Sequence, residues 1–182
     1  LLLAGCGYQF AAAGTGFPSD AKTIYVARFS NSSRFTGIND QFMRYLKDEI
    51  ANHKRLLVVD SPGHADLVLT GAILRVDTLP VGFNGAMEAS LYQQYMVVEA
   101  QLRDRRTKRV LWSNVMNSFE QYPTVSSTVI TTSPIFLQQN LRSQDIANLP
   151  DLQVAQTQEA FSTQQMMTTM AQQLYASMSE GF

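Results

Sequence analysis

The stretch Tyr92-Gln93-Gln94-Tyr95-Met96-Val97-Val98-Glu99-Ala100-Gln101-Leu102, followed by Arg103-Asp104-Arg105-Arg106-Thr107-Lys108-Arg109 and then Val110-Leu111-Trp112, decides the fold. Tyr92, Met96, Val98, Ala100 and Leu102 fall on one side of a two-residue repeat, with Gln93, Tyr95, Val97, Glu99 and Gln101 opposite. That period belongs to a strand with one buried face. Asp104 to Lys108 supplies a turn, and a return strand opening at Val110 runs to about Tyr122. The result is a long antiparallel hairpin whose apolar face needs a cover, and a helix is the natural one.

Working outward, Thr23 to Phe29 is β-branched and aromatic, and the Ser30-Asn31-Ser32-Ser33 turn cluster closes it, so a strand is predicted there. From Gly37 to Lys54, Ile38, Phe42, Tyr45, Leu46 and Ile50 recur at intervals of three and four and make one apolar helix face. Leu56 to Val59 reads as a short buried strand, and Asp66 to Thr78 as a longer one with Gly71 as a candidate bulge. Leu79 to Ser90, with Pro80, Gly82, Asn84 and Gly85, reads as a flexible loop. A long polar loop is expected over about 124–156, broken by Pro134 and Pro150 and longer than an idle connection. The last helix, Thr157 to Glu180, carries a stripe of Ala160, Met167, Met170, Ala171, Leu174 and Met178, which reads as core filler before it reads as a recognition groove. The expected class is α+β: a mostly antiparallel four- to five-stranded sheet with two helices packed on one face.

The chain has 182 residues, 45% hydrophobic and only 16% charged. A chain of this size buries roughly two-thirds of the surface its unfolded form exposes, so no staple is needed. The missing charge is replaced by Gln, Ser, Thr and Asn, which leaves a polar but largely neutral surface. The net charge of −1 speaks against a broadly basic nucleic-acid binder, and no partner of that class is expected. Charge is unevenly spread: 13 of the 14 cations lie before Val110, while beyond it stand Arg142 and five carboxylates.

Cys6 is the one cysteine, which excludes an internal disulfide and a cysteine-built zinc site. It follows Leu1-Leu2-Leu3-Ala4-Gly5, an apolar run ending in small residues, as at the end of a secretory signal segment. Leu3-Ala4-Gly5-Cys6 resembles the lipobox of bacterial lipoproteins, whose Cys is acylated; the plainer alternative is a buried Cys after a remnant of structure. On the lipobox reading, 1–5 is what is left of the signal segment, 6–21 the lipidated Cys with its tether, and 22–182 one α+β domain. Acyl chains would hold the protein at a membrane through about 0.8 kcal/mol per buried methylene. No stretch approaches the roughly 18 apolar residues of a spanning helix.

Catalytic patterns are missing. His53 and His64 lack metal-ligand spacing and read as solvated, and Asp48-Glu49 point about 100° apart on a helix. There is no phosphate-binding glycine loop and no nucleophile elbow. We therefore expect no enzyme, no metal and no cofactor. What stands out is the cluster Arg103, Arg105, Arg106, Lys108 and Arg109 at the hairpin tip, five cations within seven residues. Guanidinium groups gathered there suit phosphate groups, such as lipid headgroups. Equally, a charged tip can simply keep a sheet end soluble.

Several segments together resemble the LptE family of lipopolysaccharide-assembly lipoproteins. They are Cys6-Gly7-Tyr8-Gln9-Phe10; Ile24, Val26, Phe29, Asn31 and Ser33; Ala65-Asp66-Leu67-Val68-Leu69-Thr70-Gly71 with Ile73; and Leu102, Asp104, Thr107, Val110, Leu111 and Trp112. In the family Gly is common where Lys108 stands, so this turn is more basic than the resemblance implies. The resemblance implies a non-enzymatic partner of the outer-membrane barrel LptD, seated as a plug in its lumen and assisting lipopolysaccharide transport to the cell surface. It also implies lipopolysaccharide binding, for which the tip cations are the candidate, and an outer-membrane location through acylated Cys6, to which Gly7 as the following residue also points. An alternative, from the Ala65–Gly71 motif, is a lipoprotein activator of a peptidoglycan synthase.

Overall fold

The computed structural model describes residues 17–123 and 143–180, with the helical backbone alone for 143–155. The order is β1 (Thr23–Val26), β2 (Ser30–Asn31), α1 (Ile38–Asn52), β3 (Leu57–Val58), a 3-10 turn (Pro62–His64), β4 (Leu67–Phe83), β5 (Ala89–Asp104), β6 (Val110–Pro123) and α2 (Ser143–Glu180). The sheet runs β3-β1-β4-β5-β6, with β2 also on β4. The predicted α+β class holds, but the sheet is mixed. β1 pairs in parallel with both β3 and β4, and β2 in parallel with β4, because α1 crosses over between β1 and β3 and returns the chain in the same direction.

The hairpin read from the sequence is present over its full length, Leu91↔Pro123 through Arg103↔Val110. Met96, Val98, Ala100 and Leu102 are buried, as the alternation requires. Both helices lie over this face. α1 buries Ile38, Phe42, Met43, Leu46 and Ile50, and α2 buries Met166, Met167, Met170, Ala171, Leu174, Tyr175 and Met178. At roughly 1.5–3 kcal/mol for each large apolar side chain removed from water, these two stripes dominate the favourable side of folding. The methionine stripe is thus core; Ala160 and Phe161 lie outside it, and Phe161 is exposed. Polar groups also join α2 to the sheet. Trp112 Nε1 donates to Ser177 Oγ at 3.2 Å, and Thr163 Oγ1 donates to the buried Gln94 Oε1 at 3.0 Å.

Four expectations about element bounds and the bulge change. The strand read over Thr23–Phe29 stops at Val26 and resumes as β2, because Phe29 turns its ring inward over Gly71. Gly71 is accordingly no bulge: a Cβ there would collide with the Phe29 ring and the Glu99 carbonyl oxygen, and the register shift falls at Ile73/Arg75 instead. The loop read over Leu79–Ser90 is strand except at its tip, since β4 runs to Phe83 and β5 starts at Ala89. Pro80 is tolerated because β4 has lost its neighbour on that side after Asn31↔Ile73, so no partner asks for an N–H. The last helix starts at Ser143, fourteen residues before Thr157, and takes Pro150 into its length. The long polar loop is shortened accordingly, and its part 124–142 lies outside the described residues. Side-chain polarity and a proline signalled a loop, yet neither forbids helical backbone outright.

Residues 17–21, read as part of a tether, are packed. Phe17 and Ala21 are buried, and the Phe17 ring meets Tyr175 at 5.8 Å. Arg55 holds this segment by donating Nη1 to the Ala21 carbonyl (2.8 Å) and Nη2 to the Pro18 carbonyl (3.0 Å). His53 is likewise not free in water: its ring stacks on Tyr175 at 3.8 Å and Nε2 lies 2.9 Å from Glu49 Oε1.

The Gly71 contact yields a test. Gly71→Ala should overpack the core by roughly 1–3 kcal/mol and lower Tm by several degrees. Gly85→Ala, where nothing lies within 4 Å of the added Cβ, should leave Tm unchanged in the same calorimetric scan.

Candidate anion-binding tip

The turn between β5 and β6 is shaped by its own backbone. Lys108 N donates to the Asp104 carbonyl at 2.9 Å, Asp104 N to the Arg109 carbonyl at 3.0 Å, and Thr107 N to Asp104 Oδ1 at 2.7 Å. Lys108 sits at φ 60°, in the left-handed region where a glycine would be unstrained. The Thr107 N–H, foremost among several donors, holds the Asp104 carboxyl below the usual carboxylate range. That carboxylate is therefore committed to the turn.

The five cations read from the sequence do gather at this end, but they divide. Arg105 is structural: its N–H donates to the Asp66 carbonyl at 2.9 Å and its Nε to the Ala65 carbonyl at 2.5 Å, which locks the tip to the segment before β4. Arg103 donates Nε to the uncharged Gln101 Oε1 at 2.7 Å. Arg106, Lys108 and Arg109 are exposed on the turn. Among the described residues none of the five forms an ion pair within 4.0 Å.

The chain enters the fold beside this tip. Asp66 Oδ2 accepts from the backbone of Lys22 (2.9 Å) and Thr23 (3.0 Å) and from the Thr23 hydroxyl (3.0 Å). These donors, the Lys22 N–H first, lower the Asp66 pKa. A cleft of about 280 Å³ lies here, with Asp20, Asp66 and Asp104 facing Arg105 and Arg106. Its three carboxylates disfavour an anion inside it, while Arg103, Lys108 and Arg109 stand exposed outside it. Cys6 lies outside the described residues. Among the described residues no His, Cys, Asp and Glu group could hold a metal ion, and no helix is long and apolar enough to cross a membrane.

One charged cluster escaped the sequence reading. On the sheet face away from the helices, Asp77 accepts from Arg34 Nη2 (2.8 Å), Arg75 Nε (2.5 Å) and the Tyr95 hydroxyl (2.9 Å), and Arg75 also lies over the Tyr95 ring at 5.2 Å. Arg75 and Asp77 two apart in a strand were the available signal for a same-face pair; Arg34, 43 residues away from Asp77, left none. The Asp77 side chain is 11% exposed and its pKa is lowered to about 2, with the Arg75 bond as the largest cause.

The architecture is also found in solved structures of bacterial proteins described as lipoproteins. It is similar to the solution structure of uncharacterized lipoprotein B from Nitrosomonas europaea, with 15% identity, 96% of this chain and 91% of that one covered and a TM-score of 0.51. It is also similar to a minor lipoprotein from Acinetobacter baumannii, with 12% identity, 90% and 95% coverage and a TM-score of 0.50. At such identities the likeness concerns the fold. A search of curated proteins gives no match. Residues 21–178 match the family model for LptE, lipopolysaccharide-assembly, and the chain belongs to the LptE family.

The Asp77 cluster yields a pH prediction. The folded pKa of about 2 lies below the unfolded value, near 3.9 for Asp. Its contribution is therefore complete above the unfolded value and is lost as pH falls toward 2. Urea midpoints of Asp77→Asn should be lower than those of the parent at pH 7 and should converge with them toward pH 2. Parallel curves would show that Asp77 contributes nothing to the acid limb.

Proposed function

We propose that this chain is a non-enzymatic outer-membrane lipoprotein of lipopolysaccharide assembly, anchored through acylated Cys6 and seated as a plug in the lumen of the barrel LptD. The tip cations bind the phosphates of lipopolysaccharide while the barrel carries it to the cell surface. The family membership supports the assembly role. The observation that carries the site is four exposed cations, none in an ion pair within 4.0 Å among the described residues, held at one end of a long hairpin.

Two further features agree with the reading. The eleven residue steps from Cys6 to Phe17 span at most about 40 Å, and Lys22 and Thr23 bind Asp66 next to Arg105, so the anchor leads to the end of the fold that bears the cations. From Phe161 to Ser179 α2 carries no charged residue, its exposed positions include Gln164, Gln165, Gln172 and Gln173, and β6 carries Glu120 alone. A neutral surface rich in hydrogen-bonding groups suits the polar interior of a transmembrane barrel.

Two experiments test this. The Arg106→Glu/Arg109→Glu variant, with Arg105 kept because it holds the Ala65 carbonyl, should keep its Tm and lose about tenfold or more in a solution displacement assay of lipopolysaccharide. Unchanged displacement would remove the tip as the binding site. Separately, a C-terminally tagged chain extracted from native envelopes in mild detergent should retain a large outer-membrane barrel at stoichiometric amount through a salt wash. Recovery of a peptidoglycan synthase and no barrel would overturn the plug reading.

A further inference from the structure

A second cleft, of about 330 Å³, lies at the other end of β1, where β1 and β3 end and α1 passes over them. Tyr25, Arg28, Asp40, Arg44, Lys47 and Asp60 are among its lining residues. In open sheets the crevice outside the carboxyl ends of parallel strands is where ligands settle, because backbone and helix leave a hollow there. β1 and β3 are such a pair, joined by α1, and Arg28 and Asp60 follow their carboxyl ends.

The charges in this cleft do not cancel. On a helix, Asp40 would ordinarily serve Arg44, four residues on. Here Arg28 takes Asp40 in a two-pronged contact, Nε to Oδ1 at 3.0 Å and Nη2 to Oδ2 at 2.8 Å. Arg44 is left without an acid, and so is Lys47, three residues further along the same helix face; among the described residues neither has an ion pair. Like charges at that spacing repel each other, and an anion between them relieves the repulsion. Asp60, on the same cleft, has no cation within 4.0 Å among the described residues.

We propose that this cleft binds a phosphate group that carries an amine, as in phosphoethanolamine. Arg44 and Lys47 donate to the phosphate oxygens, and Asp60 accepts from the ammonium group. The Arg28–Asp40 pair is the fixed wall that keeps Asp40 from competing. The chemistry is shared by a soluble phosphoethanolamine and by a lipid headgroup of that kind. It is independent of the tip, because the two clefts share no residue.

The test is a titration of the ¹⁵N-labelled full chain, followed by amide shifts at constant ionic strength, with inorganic phosphate, phosphoethanolamine and bicelles containing phosphatidylethanolamine as the probes. Saturable shifts at Tyr25, Arg44 and Lys47 are expected, with phosphoethanolamine binding several-fold tighter than phosphate. Arg44→Gln/Lys47→Gln should weaken both at least tenfold, Asp60→Asn should abolish the preference for the amine, and Arg106→Glu/Arg109→Glu should change neither. All these substitutions are on exposed or half-exposed side chains, so folding is preserved, and the dispersion of the same spectra verifies it. Saturation by the bicelles identifies a lipid source, and saturation by the soluble compound alone a free one. Shifts that stay linear with concentration, or that survive Arg44→Gln/Lys47→Gln, would overturn the proposal.

Discussion

The contact on which the rest of the architecture depends is the Phe29 ring lying over Gly71. Only a residue without a side chain lets the ring approach the sheet so closely, with the Glu99 carbonyl on the other side of the same gap. That approach breaks the first strand in two and turns Phe29 into the core, where its ring meets Phe42 of α1 edge-on at 5.8 Å. The Phe29 carbonyl accepts from the buried Asn39 Nδ2 at 3.2 Å, so the peptide displaced from the ladder is not left unpaired. One aromatic side chain thereby sets where α1 begins, how it sits on the sheet, and hence where the chain returns as β3.

The sheet distributes chemistry along its length. β5 alone has 16 residues, about 50 Å at strand rise, with the cationic turn at one end. At the other end of the β4–β5 pair stand Leu79, Val81, Phe83 and Met87, all exposed. β6 and the stretch of α2 from Phe161 to Ser179 carry one charged residue between them, Glu120, with Val115, Phe119 and Phe161 exposed beside the glutamines. Such separation of one charged end from a neutral flank suits a protein that presents different surfaces to different neighbours at once.

Most of this was legible in the sequence because the signals were periodic. The two-residue repeat of Met96, Val98, Ala100 and Leu102 and the helical spacing of Ile38, Phe42, Leu46 and Ile50 each state a buried face directly. The cation cluster was legible too, since it is contiguous. Its division was not: that Arg105 is bound to Ala65 depends on a contact 40 residues away. The same holds for Arg34 on Asp77 and Arg28 on Asp40, which consume charges that local spacing assigns elsewhere. The parallel pairing of β1 escaped because a four-residue strand and a two-residue one carry no pattern that distinguishes direction. At Pro80 the rule that prolines end strands met an edge with no partner, and tertiary context overrode it.

The manner in which the chain joins its fold has a mechanical meaning. Residues 17–22 lead straight into β1, which has a parallel neighbour on each side, and they are gripped by the Arg55 guanidinium on one flank and the Asp66 carboxylate on the other. Tension applied at Phe17 along the strand would load these bonds sideways and together, as shear, rather than peeling them singly. A fold held from that end yields only when many bonds fail at once, so a pull there does not draw out the strand bond by bond.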